Sequence, residues 1–238
     1  MIVWVASYPR SGNTFLRIVL NRLYGVRTSV IYDVDGVAER LGRALVGFEE
    51  RPAAIVDLRS SSGFHFVKTH RRRGADVDEQ DRAICLVRDG RDSLVSWGHL
   101  RCGEQPGREF GAEVVRMIER DDLDGTGGWG SNVLSWLDPP SSHRVVVRFE
   151  DLARDPSREV ARAMRAVAPH MRPRSDTSVP TFADLHATDP GFFRRGSPGS
   201  HRDELPEDLH RLFWSRPENA AAMVRAGYGG MPQGDRSS

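Results

Sequence analysis

The sequence predicts an α/β fold, a three-layer α/β/α arrangement on a central parallel β-sheet that opens with a P-loop-like strand–loop–helix. Short apolar runs recur at Ile2–Ala6, Phe64–Thr69, Arg82–Val87 and Arg144–Phe149, and stretches of helical spacing lie between and after them. Strands alternating with helices argue for a parallel sheet covered on both faces. The first run leads through turn-forming residues straight into a helical stripe. The 238 residues suffice for one such domain with a sizeable core, and no internal repeat or second domain is visible. Residues 1–230 read as a single domain and 231–238 as a flexible tail.

Taken in order, Ile2 to Ala6 lack helical spacing, which suits a buried strand. Ser7 to Thr14 carry turn chemistry. From Phe15 the apolar residues fall at Phe15, Leu16, Val19, Leu20 and Leu23, with Arg17 and Arg22 off the stripe. Asp33 to Arg43 read as a short helix with Val34, Val37, Ala38 and Leu41 on one face, and 47–63 is ambiguous. The second strand, Phe64 to Thr69, ends in His70 and the run Arg71-Arg72-Arg73, which reads as a solvated loop. After the third strand, Asp89 suits an N-cap with Asp92 three residues on, and the helix carries Leu94, Val95 and Trp97. Phe110 to Ile118 is helical, Asp121 to Gly130 a mobile loop, and Val133 to Leu137 a short helix stopped by Pro139-Pro140. Beyond the fourth strand, Ser157 to Val167 is helical and Met171 to Gly191 irregular. Leu205 to Ala226 is mostly helical, with Pro217 interrupting or restarting it.

Composition excludes several classes. No segment approaches the apolar length of a membrane span, and no secretory signal is visible. Cys85 and Cys102 make neither a disulfide framework nor a metal site, so a cytoplasmic location is expected. A net charge of +1 gives no general attraction to nucleic acid or membrane. Of 34 basic residues only Lys68 is a lysine. Codon bias explains most of that skew. It does not explain why the exception sits in Val67-Lys68-Thr69-His70, and Lys68 is a candidate site residue because lysine is a compact, titratable point charge.

The chemistry gathers at strand ends. Strand, loop and helix in this order place the loop at a helix N-terminus, where free N–H groups and the macrodipole favour an anion. Gly12 allows close approach, Arg10 adds a charge, and Ser11 and Thr14 add hydroxyls. A Walker A loop has Lys directly after its last Gly, whereas here Asn13 follows Gly12 and the basic residue precedes it. In an open parallel sheet ligands bind beyond the carboxyl ends of the strands. A shared rim would join the Arg10 loop, Lys68-Thr69-His70, Arg88-Asp89-Gly90-Arg91-Asp92 with Ser96, and Phe149-Glu150-Asp151. Such a crevice fits a multiply anionic nucleotide and a neutral acceptor needing a general base. A P-loop small-molecule kinase and a non-catalytic polyanion-binding module are the alternative readings.

At this point the sequence resembles the sulfotransferases that use 3′-phosphoadenosine 5′-phosphosulfate (PAPS). Tyr8-Pro9-Arg10-Ser11-Gly12-Asn13-Thr14-Phe15-Leu16 is similar to their 5′-phosphosulfate loop, and Lys68-Thr69-His70 to their catalytic Lys-Thr-His. Val87 to Ser96 resembles the 3′-phosphate element, with Arg88 and Ser96 eight apart. Arg148 to Leu152 resembles the fourth-strand motif, and Phe193-Arg194-Arg195-Gly196-Ser197-Pro198-Gly199 the segment that closes over the nucleotide. The five motifs stand in family order across nearly the whole chain.

The resemblance implies roles. Arg10 and the backbone of Ser11, Gly12, Asn13 and Thr14 would hold the 5′-phosphosulfate. Arg88, Ser96 and Arg194 would hold the 3′-phosphate, continued by Arg195 and Gly196. Phe15 and Phe149 would flank the adenine. His70 would act as general base, with Lys68 and Arg10 offsetting charge on the transferring group, and no metal would be required. The acceptor would be a small-molecule hydroxyl or amine, natural products included, and the protein a monomer or homodimer. Three departures stand out. Arg10 replaces the usual loop lysine, Phe15 and Phe149 replace a Trp and a Tyr, and Gly199-Ser200-His201-Arg202 stands where Gly-Asp-Trp-Lys is usual.

Overall fold

The computed structural model describes residues 1–51, 53–120, 125–175 and 177–229. The expected tail 231–238 and residues 121–124 of the expected mobile loop lie outside the described residues.

The chain begins with β1 (Ile2–Ser7), α1 (Asn13–Tyr24), β2 (Thr28–Val30), α2 (Gly36–Leu41), α3 (Arg43–Val46), α4 (Ile55–Ser60) and β3 (His65–Thr69). There follow β4 (Arg82–Val87), α5 (Gly90–Glu104), α6 (Phe110–Glu119), α7 (Trp129–Leu137), β5 (Arg144–Arg148), α8 (Phe149–Arg154) and α9 (Pro156–Val167). The last elements are α10 (Phe182–Thr188), α11 (His201–Glu204), α12 (Glu207–Ser215) and α13 (Pro217–Arg225). The five strands form one sheet in the order β2-β3-β1-β4-β5, with every pairing parallel.

Alternation along the strands builds the three layers. Ile2, Trp4, Ala6, Val67, Ala83 and Cys85 face a core completed by α5, α6, α7, α12 and α13. Val3, Val5, Phe66, Ile84, Leu86 and Val147 face the opposite core, which α1 and α9 cover. A third cluster joins Ile18 of α1 to Ala38, Val46, Leu185, Phe192 and Phe193, so the far side of α1 is capped by late chain segments. The strand order reverses at β1, whose neighbours β3 and β4 leave on opposite sides. A ligand crevice is expected beyond the carboxyl end of β1.

Several expectations need correction. The sheet has a fifth strand, β2, whose three residues are too few to show a period. The helix expected over Asp33–Arg43 is split at Gly42 into α2 and α3, and Asp35 caps the first by accepting the N–H of Val37. The fourth strand ends at Arg148, and Phe149 opens α8. The stretch 171–191, read as irregular, contains α10, stapled by a capping box between Thr181 and Asp184. The helix expected from Val133 begins at Trp129.

Arg17, read as off the apolar stripe of α1, is fully buried. Its guanidinium donates to Thr28 Oγ1 (2.7 Å) and forms a 2.7 Å ion pair with Asp35, which is equally enclosed. The pair ties α1 to β2 and to the start of α2. Removing one partner leaves an uncompensated charge in the interior, at a cost of about 3–5 kcal/mol. Asp35→Ala is therefore expected to lower unfolding stability by that amount in urea titration. The double variant Arg17→Met/Asp35→Leu should recover most of the loss, and an Asp35→Ala midpoint equal to wild type would show the pair to be solvated.

Candidate functional site

The site begins where β1 gives way to α1. Arg10 and Gly12 adopt left-handed backbone, with φ of 63° and 98°, which folds the loop tightly ahead of the helix. Gly12 is the N-cap and offers no side chain to the first turn. Among the described residues the amides of Gly12, Asn13, Thr14 and Phe15 find no acceptor, and Leu16 is the first to bond back, to Gly12 O at 3.0 Å. Four donors therefore converge at the positive end of a twelve-residue helix. The loop is held from beneath. Asn13 donates from Nδ2 to Val5 O and Ser7 Oγ, each at 3.1 Å. The hydroxyls of Ser11 and Ser93 share a hydrogen bond (3.3 Å), and Ser11 donates its N–H to Tyr8 O (3.3 Å). Ser11, expected among the phosphate donors, is thus turned into the protein and supports the loop instead. A Cβ on Gly12 would lie 2.5 Å from the Phe149 ring, so the ring can rest on the loop only because position 12 is glycine.

Arginines crowd the next part of the rim. Arg10 donates from Nε to Ser96 Oγ (3.2 Å) and to the carbonyl of Phe192, and it stacks on the Phe192 ring at 4.3 Å. Arg88 donates to the carbonyls of Arg10 and Ser197, each at 3.2 Å, and lies 4.5 Å over Phe149. Its Nε is buried with no partner among the described residues. Burial, then the neighbouring charges of Arg88, Arg40 and Arg194, push the Arg10 guanidinium down to about 10. Burial is the larger cause, and the crowding of like charges adds to it, with Glu104 partly opposing.

The segment from Phe193 to Gly199 is tied to its surroundings. Arg194 spends its fork on Glu204 (2.6 and 3.0 Å), and Arg195 reaches the same carboxylate at 2.5 Å. Both line the cavity, but neither guanidinium is free in this structure. Asp92 accepts from Gly199 N (2.7 Å), His201 N (2.9 Å) and His201 Nδ1 (2.8 Å). Burial raises the pKa of the Asp92 carboxyl, but these bonds and Arg88 outweigh it and hold it at about 2. His201 occupies a position where the sequence departs from the pattern it resembles, and it ties this segment to Asp92 on α5. Gly196 has φ 63° and lies flat on Phe182, where a Cβ would fall 2.1 Å from the ring.

The end of β3 brings Lys68 and His70 to the same rim. Lys68 is buried, with no ion pair or hydrogen bond among the described residues, and burial lowers it to about 8, with Asp35 partly opposing. His70 donates from Nδ1 to the carbonyl of Ser7 at 2.9 Å. A carbonyl only accepts, so the proton sits on Nδ1 and Nε2 keeps its lone pair. Burial, reinforced by the charge of Lys68, holds the imidazole well below its ordinary range, hence neutral at pH 7.

One cavity of about 690 Å³ takes in every predicted site residue except Ser11. Residues 34–37 at the start of α2 lie in the stretch 33–63, which the sequence offers as an acceptor wall. Sequence reasoning missed two other walls, 179–182 at the entry to α10, and Trp97 with Leu100 on α5. The capping pattern at Thr181 and Asp184 was the available signal for the first. Among the described residues no group of His, Cys, Asp and Glu could hold a metal, and no helix is long and apolar enough to cross a membrane.

Residues 2–167, from β1 to the end of α9, match the sulfotransferase domain family model. The closing segment lies beyond the match. Relatives include a WSCD family member of Drosophila pseudoobscura, 28% identical over 82% of this chain and 57% of that protein. Rat sulfotransferase 1E1 is 24% identical over 88% of this chain and 79% of that protein. The chain thus spans little more than half the length of the first of these relatives. Mouse sulfotransferase SULT7A1, complexed with PAP, superposes with a TM-score of 0.66 at 16% identity, covering 96% of this chain and 89% of that one. Retinol dehydratase, complexed with retinol and PAP, gives 0.54 at 17% identity over 94% and 79%. These two share the fold. With the family model covering well over half its length, the chain belongs to the sulfotransferase domain family.

Proposed function

We propose that the protein moves a sulfuryl group from PAPS to a hydroxyl or amine of a small-molecule acceptor, with His70 as general base. The observation that carries this reading is the set of four unpaired amides at the start of α1, set beside a neutral, tautomerically fixed His70 and an unpaired Lys68. The residues fit the donor: an anion cradle, an orphaned buried Nε on Arg88, and aromatic faces at Phe15, Phe149 and Phe182 around one cavity. The relatives crystallised with PAP support the same donor.

When bound, PAPS supplies an activated S–O bond. The chain's residues do the rest. Nε2 of His70 takes the acceptor proton while the acceptor oxygen or nitrogen bonds to sulfur. The S–O bond to the 5′-phosphate breaks, its electron pair stays on the phosphate oxygen, and PAP leaves. Lys68 and the amides of Gly12 to Phe15 offset the charge that grows on the sulfuryl and bridging oxygens. Arg10 acts as a fixed charge, since it stays protonated throughout the working range. Arg88 and Ser96 hold the 3′-phosphate, and Arg194 and Arg195 join them once released from Glu204. A sulfuryl group carries less charge than a phosphoryl group, so side-chain cations suffice without a metal.

Isothermal titration gives the first test. PAP should bind in EDTA, and Arg88→Ala or Ser96→Ala should weaken PAP far more than adenosine 5′-phosphosulfate, which lacks the 3′-phosphate. Equal losses for the two ligands would remove the 3′-phosphate assignment, and binding of ATP with Mg²⁺ but not PAP would make the protein a kinase.

His70→Ala should lower kcat by about two to four decades with PAP affinity intact, because the base meets the acceptor. A parallel collapse of PAP binding would make His70 structural.

The pH profile follows from the two shifted groups. His70 is neutral throughout the neutral range, so kcat/KM should show no acid limb near the ordinary imidazole pKa. Lys68 must be charged, and its lowered value of about 8 puts an alkaline limb there. Lys68→Arg should erase that limb while lowering kcat about a hundredfold, because the planar fork displaces the charge by about 1 Å. Wild-type turnover in Lys68→Arg would leave Arg10 and His70 to carry the chemistry.

A further inference from the structure

The described contacts leave Lys68 with a single polar anchor, and it is an aromatic ring. The Lys68 ammonium lies 4.8 Å from the ring centroid of Tyr32. The phenol oxygen of the same residue accepts the backbone N–H of His70 at 2.5 Å. Lys68 and His70, the two residues proposed to act on the transferring group from either side of Thr69, are therefore held by one side chain that follows β2.

The surroundings explain how Tyr32 gets there. β2 is only three residues long, and its last contact with β3 is Ile31 N to Lys68 O at 3.2 Å. Tyr32 follows at once, so the sheet itself sets its register against Lys68 and His70. The other sides of His70 are fixed elsewhere: Asn132 Nδ2 donates to its carbonyl at 2.9 Å, and Ser7 takes its Nδ1–H. Arg71 also faces the ring, its guanidinium carbon 5.5 Å from the centroid, and its N–H bonds Thr69 Oγ1 at 3.0 Å. The phenol is half-buried, and burial raises its pKa, so it stays neutral beside these cations. A cation over an aromatic face is attracted by the ring quadrupole, and the attraction strengthens when both are desolvated.

We propose that Tyr32 is a positioning residue for sulfuryl transfer, its hydroxyl setting the backbone of His70 and its ring face setting the ammonium of Lys68. The proposal rests on the transfer reading above. Its two contacts can be separated: Tyr32→Phe removes the hydroxyl and keeps the ring, and Tyr32→Leu removes both. Loss of one backbone anchor should lower kcat about five- to tenfold in Tyr32→Phe. Loss of the ring as well should lower it about a hundredfold, the effect of a displacement of about 1 Å. PAP affinity should stay near wild type in both, because PAP lacks the sulfuryl group that Lys68 meets, and Tyr32 touches none of the residues proposed to hold the two phosphates.

The lone lysine allows a readout that needs no turnover. Labelling with ¹³C,¹⁵N-lysine gives one set of side-chain NMR signals, from Lys68. The ring current of Tyr32 should shift its ε-methylene signals upfield in wild type and in Tyr32→Phe, but not in Tyr32→Leu. Because the ring favours the charged form, the Lys68 titration and the alkaline limb of kcat/KM should move to lower pH in Tyr32→Leu alone. The His70 amide signal should move in both variants. Wild-type kcat in both variants, or Lys68 signals unmoved in Tyr32→Leu, would overturn the proposal. So would a loss of stability with normal kcat per folded molecule. A wild-type protein that neither binds PAP nor transfers sulfuryl would sink the transfer reading itself, and that failure shows in the unmutated chain before any Tyr32 variant is compared.

Discussion

Because all five strands run parallel, every carboxyl end lies on one rim, and the residues just past those ends must share it. Everything distinctive about the molecule follows from what the sequence puts there. β1 delivers a loop of unpaired amides, β3 a lysine and a histidine, β4 an arginine, and β5 the aromatic ring that opens α8. β1 and the body of β4 are apolar enough to hide between two helical layers, so the charged residues gather at the strand ends. They can only face the crevice or find partners at its edge.

Those partners divide the cations into two groups. Arg17, Arg194 and Arg195 are matched by carboxylates, from Asp35 and Glu204. Arg10 and Lys68 have no such match, and both are pushed below their ordinary pKa. Arg88 lies between the groups, 3.9 Å from Asp92 yet with its Nε unsatisfied. The unmatched charges sit against the helix N-terminus, where an anion would relieve them. The cavity is thus organised by an electrostatic deficit as much as by its shape.

How far the sequence could be read depended on whether a residue's role was local. The loop from Tyr8 to Leu16, the strand ends at His70 and Arg88, and the helix break at Pro217 are written in consecutive residues. The strand β2 was invisible because three residues show no period. Arg17 looked like surface, since a lone charge beside an apolar stripe usually is, and only the distant Asp35 makes its burial tolerable. Ser11 looks like a phosphate donor by type, but its hydroxyl shares a hydrogen bond with that of Ser93, eighty-two positions away. Arg194 and Arg195 were legible as cavity residues, whereas their engagement with Glu204 was not, because nothing near position 204 marks it as a counter-charge. Tyr32 escaped notice for the same reason: its two contacts belong to another strand.

The carboxylate of Glu204 has a further consequence, in ionic strength. Cations that wait in water are screened by dissolved ions, and a ligand that binds them must displace that atmosphere, which makes affinity fall as salt is added. Two of the arginines at this rim wait instead against a fixed internal counter-ion. An anion that takes over their forks exchanges places with a carboxylate rather than with dissolved chloride. Affinity for such a ligand is then buffered against salt, and the number of arginines around the crevice overstates how steeply binding falls as the medium becomes more concentrated.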